Sequence, residues 1–64
     1  MEDRFLKVSE VIKMTTVSRT VIWEMIKDGR FPSPYRIGRK NVWSMKEIQS
    51  WMYDVVKNQI ANDN

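Results

Sequence analysis

The run from Thr16 to Gly29, TVSRTVIWEMIKDG, limits the fold more than any other stretch of the chain. At about 100° per residue, Arg19, Thr20, Trp23, Glu24 and Lys27 fall within one arc of roughly 140° on a helical wheel. Val21, Ile22, Met25 and Ile26 fall in the opposite arc. One face is therefore continuous and apolar, while the other carries cations, a hydroxyl and an indole. Ser18 stands where a side-chain oxygen can cap the free N–H groups of a first turn. Gly29 stands where a left-handed residue ends a helix at least steric cost. Ends and faces agree on a helix. An amphipathic helix with a merely solvated polar face is the plain alternative, but Trp23 on that face points to contact with a partner.

The flanking stretches supply the rest of a small fold. Residues 1–3 are expected to fray, and Arg4-Phe5-Leu6 reads as a short extended segment sending Phe5 and Leu6 to the core. Residues 8–13 form a first helix, with Val8, Val11 and Ile12 on one face and Ser9 able to cap a slightly later start. Residues 14–17 make the turn, anchored by Val17. Two short helices joined this way have helix-turn-helix geometry, which presents the second helix to a groove. Pro32 and Pro34 then stop the helix, and Phe31 is expected to fold back over its end.

Residues 35–43, YRIGRKNVW, read as a two-stranded hairpin: Tyr35 and Ile37 alternate with Arg36, and Gly38 turns beside Arg39 and Lys40. Its cationic tip suits a phosphate-contacting wing; the plain alternative is a connector whose charges keep a strand edge soluble. Ser44 and Glu47 have capping-box spacing for a third helix, in which Glu47 would reach back to the Ser44 N–H. Met45, Ile48, Met52, Val55 and Val56 follow helical spacing there, with Trp51 beside them. Trp43 and Trp51 are expected in the core, and the helix is expected to fade after Lys57, leaving residues 58–64 frayed. The whole of 1–64 is thus expected as a single domain, mainly α with a small β-hairpin: a winged helix-turn-helix of three helices plus a two-stranded wing.

Composition narrows the chemistry. The 64 residues include no cysteine and no histidine, which removes thiolate and imidazole metal ligands and the commonest general base. No metal, cofactor or enzymatic activity is expected, because no remaining pair of polar residues has catalytic spacing. No apolar stretch approaches the ~18 residues of a membrane span, and no signal peptide opens the chain, so a soluble intracellular protein is expected. Charge is unevenly placed. Between Lys13 and Lys46 stand eight cations against two acids, Glu24 and Asp28, a balance of +6. A basic middle in so small a domain suits a polyanion, most often nucleic acid.

From Arg4 to Met52 the chain resembles the AlpA family of small phage and genomic-island regulators, which is related to excisionases and to the DNA-binding domain of MerR-type regulators. The resemblance is most specific at Ser18-Arg19-Thr20-Val21-Ile22-Trp23 and at Lys27-Asp28-Gly29-Arg30-Phe31-Pro32. Ile37-Gly38-Arg39, Trp43, Glu47-Ile48 and Trp51 extend it. Thr16 departs from the pattern, standing where the family often has glycine; if that site needs positive φ, threonine is strained there. Trp23 stands where tyrosine is usual, and either Arg39 or Lys40 can align with the basic residue of the wing.

The resemblance implies a winged helix-turn-helix that binds double-stranded DNA in the cytoplasm of a bacterium. It implies an excisionase, or recombination directionality factor, that bends attachment-site DNA for an integrase. The alternative is a transcriptional regulator, for instance of an integrase gene. Arg19 would read a base, since a guanidinium bonds guanine O6 and N7 together. Thr20 would meet a thymine methyl or a phosphate, and Trp23 would pack on the sugar-phosphate backbone. Lys27 and Arg30 would anchor phosphates, while Arg36, Arg39 and Lys40 would follow a neighbouring groove. Ser18 would cap the helix and touch a phosphate. So small a module makes a small interface, so several copies on adjacent sites are expected. A protein-interaction adaptor using the Trp23 face is the less favoured class, distinguished by salt-insensitive binding to a protein.

Overall fold

In the computed structural model, which describes residues 2–62 with side chains through residue 59, six elements follow one another. They are β1 (Phe5–Leu6), α1 (Val8–Thr15), α2 (Arg19–Lys27), β2 (Tyr35–Ile37), β3 (Lys40–Ser44) and α3 (Met45–Asn62). Three helices and a β2–β3 hairpin make the winged helix-turn-helix that the spacing predicts. The sheet is larger than a hairpin, however. Its order is β1-β3-β2, and both pairings are antiparallel, with Leu6 opposite Trp43 and Arg36 opposite Asn41. The extended segment at residues 4–6 is thus the third strand, and it fixes the wing to the start of the chain.

Each part of the chain supplies one buried apolar side chain to a single core: Leu6 from β1, Val11 from α1, Ile22 from α2, Phe31 from the loop, Trp43 from β3 and Ile48 from α3. Trp43 is fully buried and its indole N–H donates to the Pro32 carbonyl at 3.0 Å, so its one polar atom is satisfied. Phe31 folds back as expected and meets Trp51 edge-on at 4.7 Å. Trp51 itself is only half-buried, with its N–H on the Arg30 carbonyl at 2.8 Å. Phe5 does not reach the core: strand alternation sends Leu6 inward and leaves Phe5 57% exposed on the outer face, against Tyr35. Val21 and Val56, placed on apolar faces by spacing alone, are also exposed, because each lies at the margin of its helix's buried stripe.

Local chemistry explains where the helices begin and end. At α1 the Glu10 carboxylate accepts the Lys7 N–H at 2.9 Å, so the cap lies at Lys7 and Ser9 is already inside the helix. The helix outlasts its expected end at Lys13 by two residues. Thr16 then terminates it in the left-handed region, at φ 61°. The site that favours glycine in the family pattern does require positive φ, and here a β-branched residue bears it, at a steric cost of about 1–2 kcal/mol. The Thr15 hydroxyl ties the turn by donating to the Val11 carbonyl at 2.8 Å and accepting the Val17 N–H at 3.3 Å.

Ser18 caps α2 by accepting the Val21 N–H at 3.3 Å. At the other end Gly29 adopts φ 73°, its N–H reaches the Ile26 carbonyl at 3.1 Å and the Arg30 N–H reaches the Met25 carbonyl at 2.8 Å. These two bonds are the Schellman pair.

The start of α3 differs from the expected capping box. Ser44 accepts the Glu47 N–H at 3.2 Å, but the Glu47 carboxylate turns away to the Tyr35 hydroxyl, 2.9 Å distant. Asp3 takes up the capping work instead: it accepts the Ser44 hydroxyl and the Lys46 N–H, the latter at 3.0 Å. The Arg4 carbonyl accepts the Met45 N–H at 2.9 Å. Asp3 is therefore fixed rather than frayed, while Met1 lies outside the described residues. α3 also continues past Lys57 to Asn62, since Asn58 to Ala61 contain neither glycine nor proline to stop it. Residues 63–64 lie outside the described range, as does the Ile60 side chain.

Candidate nucleic-acid interface

Ile22 anchors α2 in the core, and helical geometry then turns Arg19 and Thr20 outward, where both are exposed. Trp23 follows Ile22 by one residue and so lies between core and solvent. It is half-buried, and its ring meets Trp43 at 5.8 Å between centroids and 56° between planes. The polar arc of the helix is thus split: Trp23 serves both the packing and the outer surface.

The β2–β3 hairpin closes through Gly38 and Arg39, between the paired residues Ile37 and Lys40. Gly38 has φ 61° and Arg39 has no positive φ, the arrangement of a Gly-first type II′ turn, which matches the twist of the flanking strands. Arg39 stands at the tip and Lys40 begins β3. Arg36 pairs across the ladder with Asn41, and its Nε–H donates to the Gly38 carbonyl at 3.3 Å, stiffening the turn.

A groove of about 280 Å³ lies where α2, β3 and the start of α1 converge, lined by Lys7, Val8, Arg19, Trp23, Lys40, Asn41 and Trp43. It brings Arg19 and Trp23 of the helix together with Lys40 of the wing. Two of its polar residues, Lys7 and Asn41, were invisible to sequence reasoning. Lys7 carries no local signal beyond its charge, and only the sheet register carries Asn41 to this edge.

Lys27 and Arg30 lie elsewhere, at the other end of α2, in a shallow concavity with Val21, Glu24, Met25 and Asp28. Eight helical steps separate Arg19 from Lys27, about 12 Å along the axis. Arg30 is paired with Asp28 at 3.2 Å, both well exposed, a contact worth little in water. Ser18 keeps its oxygen on the helix cap. Of the nine candidate residues, Arg19, Trp23 and Lys40 share the helix-wing groove, Arg36 and Arg39 stand on the wing, Lys27 and Arg30 lie at the far end of α2, and Ser18 and Thr20 are exposed at its start. Among the described residues no group of three or more acids could hold a metal ion.

The sequence model of a family described as "Prophage CP4-57 regulatory protein (AlpA)" matches residues 4–56, a span that contains every candidate residue. The chain belongs to the AlpA family. That family is a regulatory one rather than one of enzymes. A protein of Enterobacteria phage P4, described only as uncharacterized protein ORF88, is 42% identical over 52 residues, which cover 80% of this chain. The chain spans 59% of that relative's length. No solved structure matches it. Among the described residues of this AlpA-family chain, no helix is long and apolar enough to cross a membrane.

Proposed function

We propose that this AlpA-family chain binds double-stranded DNA sequence-specifically and acts as an excisionase, a directionality factor that bends attachment-site DNA so that an integrase runs towards excision. The groove shared by Arg19, Trp23 and Lys40 carries the DNA reading, because it joins the exposed face of α2 to the wing in one cationic surface. α2 enters the major groove with its N-terminal half leading, so that Arg19 reads a base and Thr20 meets a methyl or phosphate. Trp23 lies along the sugar-phosphate backbone. Arg36, Arg39 and Lys40 follow the adjacent groove, and Lys27 and Arg30 hold phosphates farther along. Ser18 acts through the cap that orients Arg19.

A module of this size buries about 600–1,000 Å² on DNA, too little for a long site, so several copies act on adjacent sites. The protein works in the bacterial cytoplasm, where both DNA and integrase are found. The family's description as regulatory supports the second reading, a transcriptional regulator of a gene such as that of an integrase.

The test compares binding to the DNA flanking the protein's own gene, including any attachment site, with binding to scrambled DNA. It is followed by an excision assay with any integrase encoded beside that gene. Preferred binding, bending and integrase-dependent excision support the first reading. Preferred binding with altered promoter output and no effect on excision supports the second. Equal binding to both DNAs, unchanged in Arg19→Ala, removes the sequence-specific assignment.

A further inference from the structure

On α3, Glu47, Trp51 and Asp54 stand at positions i, i+4 and i+7, so they form one stripe. That stripe faces the loop after α2, and together they line an open groove of about 560 Å³ with Phe31, Pro34 and Tyr35 among its walls. It shares no residue with the groove of Arg19 and Lys40.

Its charge runs against the rest of the molecule. The chain carries a net charge of +3. This groove holds the carboxylates of Glu47 and Asp54 against one cation, Arg30, which it shares with the concavity of Lys27. Two carboxylates repel a phosphate backbone, so beyond Arg30 the groove does not continue the DNA surface. The same carboxylates beside aromatic rings suit an ammonium or guanidinium group, held by charge and by the ring faces together.

The walls are already in place. The Trp51 indole is fixed by its bond to the Arg30 carbonyl and by the Phe31 ring, and the Tyr35 hydroxyl is fixed on Glu47. The Pro32 carbonyl is held by Trp43. A preorganised groove loses little freedom when it is filled.

We infer that this groove docks a lysine- or arginine-bearing segment with apolar side chains, belonging to a protein partner, while the opposite-charged groove stays free for another ligand. Proteins that work on DNA carry such segments, because phosphate neutralisation requires them. The class of partner rests on the DNA reading, whereas the groove's charge and walls do not, and the peptide titration tests the groove separately.

The experiment titrates the labelled full chain with a blocked hexapeptide alternating arginine and leucine, and with its glutamate-leucine counterpart, following amide and indole N–H resonances. The arginine peptide is expected to shift the Trp51 indole and the amides of Gly29, Arg30, Phe31, Ser33 and Tyr35. Glu47→Gln with Asp54→Asn is expected to weaken it at least tenfold, and the exposed single change Asp54→Asn about threefold, with DNA affinity not reduced. Glutamine keeps a carbonyl for the Tyr35 hydroxyl, and a thermal melt checks the fold of each variant. Equal binding of both peptides, unaltered binding by Asp54→Asn, or shifts confined to residues 19–23 would overturn the inference. So would groove shifts that follow protein concentration alone, which would assign the surface to a second copy of this chain.

Discussion

Trp23 of α2 packs its ring on Trp43 of β3, 5.8 Å between centroids, and so locks the helix to the base of the wing. Trp43 is pinned in turn at Pro32, and therefore both parts of the candidate interface take their position from one indole.

This contact predicts a divided response at Trp23. An aromatic pair is worth about 0.5–1.5 kcal/mol beyond its buried area. Trp23→Ala should cost about 2–3 kcal/mol, less than the about 3–5 kcal/mol of a fully buried aromatic, and should weaken DNA binding further by loosening helix from wing. Trp23→Tyr keeps a ring against Trp43 and should cost under about 1 kcal/mol. Thermal melts with binding isotherms of the two variants check this; equal losses would show that the ring pair contributes nothing.

Thr16 offers a stabilising change. Its left-handed backbone is strained for threonine and free for glycine, which gives back part of the gain through unfolded-state entropy. Thr16→Gly should therefore raise stability by about 0.5–1 kcal/mol and lift Tm by several degrees. Gly29→Ala should move the other way by about 1 kcal/mol, although a Cβ there has open space, because its φ is 73°. Urea or thermal denaturation of both variants decides it.

Acid stability should trace to the N-terminal segment. The Ser44 hydroxyl and then the Lys46 N–H hold the Asp3 carboxyl below its ordinary value, and the Lys7 N–H does the same for Glu10. A lowered acid pKa contributes stability that is complete above the unfolded value and lost as pH falls through the folded one. The loss should thus begin below about pH 4 and deepen as the pH falls further. Tyr35 is the opposite case: Glu47 raises its hydroxyl above the usual range, so its contribution disappears only above about pH 10. Between those limits stability should be nearly flat, since the chain has no histidine. Asp3→Asn should flatten the acid limb of a pH-resolved denaturation series, and an unchanged limb would remove Asp3 from the account.

DNA binding should separate the helix from the wing tip. With roughly six phosphate contacts, log K should fall with log salt at a slope of about −5. Arg39→Ala should weaken native and scrambled DNA alike and reduce that slope by about 1. Arg19→Ala should cost about 1–3 kcal/mol on the native site and abolish its preference. Fluorescence anisotropy at several salt concentrations measures all three, and a flat salt response would remove the phosphate contacts.

The sequence by itself determined α2, from Ser18 to Gly29, because cap, apolar stripe and terminating glycine are local signals repeated within a few ångströms of backbone. It determined the hairpin turn at Gly38 and the buried place of Trp43 for the same reason. What only the tertiary structure decided depends on residues far apart in the chain. Asp3 caps α3 across some forty positions, and β1 turns a hairpin into a three-stranded sheet, sending Leu6 in and Phe5 out. Lys7 and Asn41 join Arg19 in one groove. The Glu47 carboxylate leaves its own helix cap for Tyr35. Periodicity reports which face of an element is apolar, but a hydrogen bond or a groove between elements exists only once packing has set their distance and register.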